Sequence, residues 1–391
     1  MVQRISIAAY FALLLLAAVA AYRTVDRDWN WDGLAYIACA AAWSERDPVA
    51  LHASVYREAR SEMPAEAFEL LTAGNPYRAD LASNPVHFLE QLPFYDGKVL
   101  YIELMFGLHG LGASYVGGMK SLSAAGFFAL GVVFFLWTRA YFPALPAAIL
   151  SAAFMLSAPV WNLARMFSPD ALSVAMVTAA LYAFFVMAPA RPASQRSVAA
   201  LLGLALLSAA VFVRNDTLLL AALVIGYLAL ASRSPLKIKR AQGAVLIVLL
   251  IGSVLALGHF GGGYGWRMSF YHGLVQRVPA PAETAAPAIS PAEYLRAAAR
   301  SAREALDASS LALFVFITTA ALLLLKRGTL MRDALLLSLG FSALRIIVYP
   351  GFEERYYVST YAVAALCLIS ALPAYRRSGG GPDREPLGAQ F

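Results

Sequence analysis

Long apolar runs broken by short polar stretches dominate the chain. Ten of them, at 5–22, 118–137, 144–161, 169–188, 197–213, 217–232, 241–258, 308–325, 333–350 and 356–374, approach the length with which a helix crosses a bilayer, about 20 residues. The pattern predicts an all-α polytopic membrane protein with about 10 transmembrane helices. The first run also has the charged start, apolar centre and small-residue end of a signal peptide. No clean stop follows its "AVA", and its removal would upset the even number of crossings, so it is read as a span.

Two segments between runs are too long to be turns. Residues 23–117 form a long first outer loop in which "GLAYIACAAAW" and "ALHASVYREARSEMPAEAFELL" are expected to be short helices lying along the membrane. Within it "VLYIELMFGLHGLG" is apolar but only 14 residues long, which suits an interfacial or re-entrant helix. Residues 259–306 form the second large outer loop. It opens with "HFGGGYGWRMSFYHG", expected to be a mobile aromatic loop, and runs through a Pro/Ala linker into a helix from Pro291 to Leu306. The chain thus reads as one transmembrane domain over 1–374 and a disordered cytoplasmic tail over 375–391.

Composition agrees. At 391 residues, 60% hydrophobic and 14% charged, the chain has too few polar groups to clothe a soluble globule. Its net charge of +7 is no sign of nucleic acid, because in a membrane protein the location of charge outweighs its sum. With the N-terminus inside, the inner segments hold Arg4, Arg139, Arg191, Arg196, Arg233, Lys237, Lys239, Arg240, Lys326, Arg327, Arg332, Arg376, Arg377 and Arg384. Against them stand only Asp333, Asp383 and Glu385. Every inner loop satisfies the positive-inside rule, "SRSPLKIKR" most strongly, and nearly all carboxylates fall outside, where any chemistry is expected. Cys39 and Cys367 form no disulfide framework or metal motif, and no Gly-rich phosphate loop, zinc spacing or Ser/His/Asp elbow occurs.

Candidate residues cluster at the outer ends of spans. "DRDWNWDGLAY" crowds Asp28, Trp29, Trp31, Asp32 and Tyr36 just after the first run. The two tryptophans read as an aromatic belt. Asp32 and Tyr36 are four apart and share one face of a helix beginning near Asp32. A half-buried carboxylate there is expected to hold a raised pKa and take a proton from a hydroxyl, unless it is a simple N-cap. Asp170 and Asp216 open spans, where helix capping and a functional role both fit. Arg165, Arg214, Arg345 and Arg355 suit phosphate oxygens, with lipid headgroups or internal pairs such as Arg214–Asp216 and Arg355–Glu353 as the plainer alternative.

In their order along the chain, "NWDGLAYIACA", "VHFLEQLPFYDGKVLYIELMFGLHGLG", "SPDALSVAMVTAALYAFF", "VFVRNDTLLLAALVIGYLAL" and "FEERYYVSTYAVAALCL" resemble the GT-C class of integral-membrane glycosyltransferases. The resemblance covers residues 1–374. It implies an inverting transfer of a sugar from a polyprenyl-phosphate donor to a glycan, lipid or protein acceptor on the outer face. It implies a base or acceptor-positioning carboxylate in the first outer loop, best matched by Asp32 with Asp28 second, and the expected roles are Asp32 as catalytic base and Asp28 as its support or acceptor contact. Lys98, Arg214 and Arg355 would bind the donor phosphate, and Tyr36, His87, Tyr95, Arg165, Asp170 and Glu354 would line the pocket. The loop from Gly261 to His272 would close over the lipid head. No cofactor follows; a divalent metal is optional in this chemistry, since one carboxylate and a few facing cations suffice. The chain departs from the family pattern in having Asp32-Gly33 where many members have two adjacent acidic residues, and Val99-Leu100 where prolines usually follow the lysine.

A transporter or flippase of lipid-linked sugars is the rival class. Carriers, however, keep ionisable groups near the bilayer midplane, and here the middles of the spans are Ala, Leu, Val and Phe. A non-catalytic partner in an envelope assembly complex would have the same parts. The Ala-rich, Arg-over-Lys composition points to a bacterial plasma (inner) membrane with the site on the periplasmic side.

Overall fold

All ten apolar runs fold as helices in a computed structural model of the protein, which describes residues 2–24, 29–234, 236, 238–308 and 310–378. In chain order the helices are α1 (Val2–Arg23), α2 (Asp32–Ala41), α3 (Pro48–Glu62), α4 (Ala65–Ala73), α5 (Pro76–Ser83), α6 (Pro85–Leu89), α7 (Val99–Gly110), α8 (Tyr115–Arg139), α9 (Ala144–Met155) and α10 (Ala158–Arg165). Then α11 (Asp170–Tyr182) runs through a π-helical turn, Ala183–Met187, into α12 (Ala188–Ala190). They are followed by α13 (Ala193–Val213), α14 (Thr217–Leu230), α15 (Arg240–Phe260), α16 (Gly265–Phe270), α17 (Pro291–Asp307), α18 (Leu311–Leu324), α19 (Leu330–Val348) and α20 (Val358–Ser378). Among the described residues there is no β-strand.

Six helices are long and apolar enough to cross a membrane, or up to eight if the bent pairs α9/α10 and α17/α18 each count as one span. The fold fits a multi-pass membrane protein. Two of the ten runs fall short of that standard for visible reasons. α14 has 14 residues, about 21 Å at 1.5 Å per residue against a hydrocarbon core of about 30 Å. α19 is long enough but carries Arg332, Asp333 and Arg345. The 65° bend between α9 and α10 falls at "LSAP", where Pro159 enters the first turn of α10 and its ring cannot continue the preceding helix.

Two apolar clusters divide the molecule. The larger joins α1, α8 to α14 and α18 to α20 into a bundle, and the smaller joins α2, α3, α6, α7 and the first turns of α8 into a layer at one end of it. Close approach inside the bundle depends on small residues, as it does between membrane helices in general. A Cβ at Gly126 of α8 would stand 2.6 Å from the Ala171 carbonyl carbon and the Leu172 nitrogen of α11, so the two backbones touch there. Tyr10 of α1 donates to the Gly131 carbonyl on the same helix at 2.8 Å. Gly126→Val is expected to push α11, and Asp170 at its start, away from α8 at a cost of about 1–3 kcal/mol. A lower unfolding midpoint in detergent checks it; an unchanged midpoint would refute the backbone contact.

The smaller layer is built onto the bundle through α3. Glu62 accepts from the Ser114 hydroxyl at 2.8 Å and pairs with Lys120 at 3.4 Å, while Glu58 accepts from the Val116 amide at 2.9 Å. Two carboxylates thus serve the positive end of α8. α2 differs from its expectation. Gly33 to Ala41 are all buried, so this helix packs on protein rather than lying exposed along a surface. The tryptophans are likewise no belt: Trp31 is 8% exposed against Phe88 and Tyr95, and Trp29 stacks on Phe167 at 4.3 Å. The expected mobile loop after α15 contains α16 and a π-helical turn, Tyr271–Val275, with Gly262 and Gly265 supplying the positive φ (75° and 73°) that its tight path requires. The helix expected from Pro291 to Leu306 is α17, started by a capping box between Ser290 and Glu293.

Candidate functional site

The starts of α2, α11, α14 and α20 and the end of α19 carry carboxylates and guanidinium groups that meet at the end of the bundle facing the smaller layer. Arg355 donates to Asp32 at 3.0 Å and to Glu353 at 2.5 Å, and lies 3.7 Å from Asp170. Arg214 pairs with Asp170 and forks onto both oxygens of Asp216 at 3.0 and 2.7 Å. Arg345 donates to Asp216 at 3.1 Å. The Tyr356 ring lies beneath all three guanidinium groups, at 3.9 Å from Arg345, 4.6 Å from Arg214 and 5.2 Å from Arg355, where its π face favours cations. A small pocket opens among Asp170, Arg214, Asp216, Arg355 and Tyr356; at about 20 Å³ it has room for a water, not for a sugar.

None of Asp32, Asp170 and Asp216 caps its helix through its side chain. Each is turned to arginine instead, and the expected pairs Arg214–Asp216 and Arg355–Glu353 are both present.

Asp32 also accepts from the Tyr95 hydroxyl at 3.0 Å. Burial disfavours its charge, but the charge and hydrogen bond of Arg355, the charge of Lys98 and the Tyr95 bond outweigh burial and hold the carboxyl below its usual range. The raised pKa expected for Asp32 is therefore overturned: it is an ionised carboxylate at neutral pH. Tyr36 and Tyr95 move the other way, raised by burial and by the Asp32 charge, so both stay neutral phenols. Lys98 stands over their rings at 5.3 and 5.1 Å and donates to the Phe94 carbonyl at 3.4 Å. It has no carboxylate within ion-pair distance among the described residues. Burial lowers its pKa and the Asp32 charge raises it in part.

The structure thus brings Asp32, Tyr36, Tyr95, Lys98, Asp170, Arg214 and Arg355 together. Arg165 ends α10, which packs beside the Glu354–Tyr357 turn. Two other residues take no part in the cluster's ion pairs. His87 is held by Asp80 at 2.7 Å, and Glu354 has a buried Oε1 with no hydrogen-bond partner among the described residues. Asp28 lies outside the described residues.

Sequence reasoning missed a second construction beside the cluster. His272 Nδ1 accepts from the Val278 amide at 3.1 Å, which leaves the ring proton on Nε2, 3.4 Å from the Tyr77 hydroxyl. Tyr77 donates to Gln91 Oε1 at 2.9 Å, and Gln91 Nε2 donates to the Val278 and Pro279 carbonyls at 3.0 and 2.8 Å. The circuit closes on itself and latches the segment between α15 and α17 onto the one between α1 and α8. Phe94 stacks on His272 at 4.5 Å. Burial, with the Arg277 charge second, pushes His272 down to about 4. A histidine lowered from an unfolded value of about 6.5 supports the fold only as the neutral ring. Its contribution, about 3 kcal/mol, is whole above pH 6.5 and lost as pH falls toward 4. Hydrogen exchange at the Val278 amide is expected to accelerate over that window; flat protection down to pH 4 would show that the latch does not depend on the neutral ring.

Fold and site together fit a multi-pass membrane protein with an ionic cluster at one end of its bundle. No family model, curated protein or solved structure matches the chain.

Proposed function

We propose that the protein is an inverting glycosyltransferase of the GT-C type, with about ten crossings. On this reading it moves a sugar from a polyprenyl-phosphate donor to an acceptor at the outer, periplasmic face of a bacterial inner membrane. The observation that carries this reading is the meeting of Asp32, Lys98 and Arg355. They come from three distant parts of the chain; the resemblance suits Asp32 to the role of base and Lys98 to a phosphate contact, and the fork of Arg355 suits it to a second one.

The chemistry needs little else. As an acceptor hydroxyl attacks the anomeric carbon, Asp32 takes its proton, the bond from that carbon to the phosphate oxygen breaks, and the oxygen leaves with the electron pair. Lys98, Arg214 and Arg355 stabilise the charge that collects there. Asp32 is ionised and so ready to accept. Its low pKa reflects the grip of Arg355, and a phosphate that draws Arg355 toward itself would raise the basicity of the carboxylate. The clustering of polar groups at helix ends also speaks against a carrier, whose ionisable groups sit at mid-membrane. The test is release and transfer of label from radiolabelled polyprenyl-phosphate sugars by the purified protein. Turnover of any one donor supports the transferase; binding of lipid with no turnover across a panel of donors and acceptors would overturn it.

A further inference from the structure

Arg277 is an exposed cation on a fixed backbone. Its flanking peptide groups are held on both sides. The Gln276 amide donates to the Tyr271 carbonyl at 2.9 Å, the Val278 amide to His272 at 3.1 Å, and the Val278 and Pro279 carbonyls accept from Gln91, which is fully buried. The side chain that extends from this backbone makes no hydrogen bond or ion pair among the described residues. Val278, the next residue, is bonded to His272, whose Nε2 lies 3.4 Å from the Tyr77 hydroxyl, so the Arg277 charge stands beside the latch and acts on both rings. The latch reaches the cluster through ring contacts: Tyr77 lies 6.4 Å from Trp31, Trp31 lies 6.0 Å from Tyr95, and Tyr95 donates to Asp32. Near Asp32 the three arginines are already held by carboxylates. Lys98, over the Tyr95 ring, and Arg277, beside the latch, have none among the described residues.

We propose that Arg277, held by the Gln91–Tyr77–His272 latch, is the outer contact for a lipid-borne phosphate at the mouth of the Asp32 site. The assignment rests on the transferase reading for its ligand, and the second outer segment contributes to the site through this residue. A planar guanidinium can fork onto two phosphate oxygens, which a fixed backbone turns into a selective contact. The latch thereby has a role beyond packing, since it holds the backbone from which that charge extends.

The experiment uses the full-length protein in nanodiscs of neutral phospholipid, with polyprenyl phosphate, polyprenol or phosphatidylglycerol as titrants, and follows donor kinetics in parallel. Wild type is expected to bind polyprenyl phosphate in preference to the other two. Arg277→Ala should weaken that binding about tenfold and raise the donor KM by a similar factor with kcat little changed, and Arg277→Lys should recover part of both. Equal binding by wild type and Arg277→Ala, a wild type indifferent to the phosphate, or a loss seen with phosphatidylglycerol alone would each overturn the assignment; the last would mark an ordinary headgroup contact. A wild type that binds polyprenyl phosphate through Arg277 yet transfers no sugar would uphold the contact and overturn the transferase.

Discussion

Asp32→Asn is expected to abolish sugar transfer while the protein stays folded and still binds its donor. A positioned general base supplies about 10²–10⁴ in rate, so turnover should fall at least about 100-fold. The fold should survive because asparagine keeps an oxygen that can accept from Tyr95. Arg355 is not orphaned either, since Glu353 at 2.5 Å and Asp170 at 3.7 Å remain beside it. In the wild type, Arg355 and Lys98 hold Asp32 ionised, so the acid limb of kcat/KM should lie below the ordinary carboxylate value of about 3.9. The sign follows from the shift: a carboxyl lowered in the folded protein loses its charge only at more acidic pH. The measurements are single-turnover transfer by both proteins and a pH profile of the wild type. Full activity in Asp32→Asn would remove Asp32 from the chemistry, and an acid limb near pH 6 would show that the cluster does not hold the carboxylate down.

Much of the architecture was legible because apolar runs of near-membrane length have one cheap solution, a helix that satisfies its own backbone. The starts of α11, α14 and α20 were therefore readable to within a residue or two. The ambiguity lay in what their carboxylates do. An aspartate at a helix start is equally suited to capping and to pairing, and the guanidinium that decides the matter for Asp32 lies 323 residues away. Local sequence carries no trace of it. α2 had a signal that went unused: "GLAYIACAAAW" is apolar on all faces, which marks a helix enclosed by protein rather than one lying half in lipid. Tyr356 stood in the quoted "FEERYY", but that it would lie beneath three arginines depends on helices brought together only by the fold. Gln91 gave no signal, because a single glutamine becomes a latch only when another segment presents two carbonyls to it.

The charged cluster should also dominate stability, and Asp216 is its most sensitive point. Its two oxygens serve Arg214 and Arg345 together, and Arg345 is 5% exposed with no other carboxylate in range among the described residues; its remaining partners there are the Gly351 carbonyl at 3.1 Å, the Tyr357 hydroxyl at 3.3 Å and the Tyr356 ring. Arg214 keeps Asp170 when Asp216 is lost, but Arg345 keeps no anion among the described residues. Removing one partner of a buried pair leaves an uncompensated charge, at a cost of about 3–5 kcal/mol. Asp216→Asn should lower the unfolding midpoint in detergent on the order of 5–10 °C. Adding Arg345→Gln removes the orphaned charge and should recover a substantial part of that loss, so the double variant is expected to be more stable than Asp216→Asn alone. Such a reversal is the signature of charge left unpaired rather than of packing lost. If the two substitutions simply add, each destabilising by itself and the double worst of all, Arg345 does not depend on Asp216 for its neutralisation. The cluster would then be held together by the Tyr356 ring and the backbone around it.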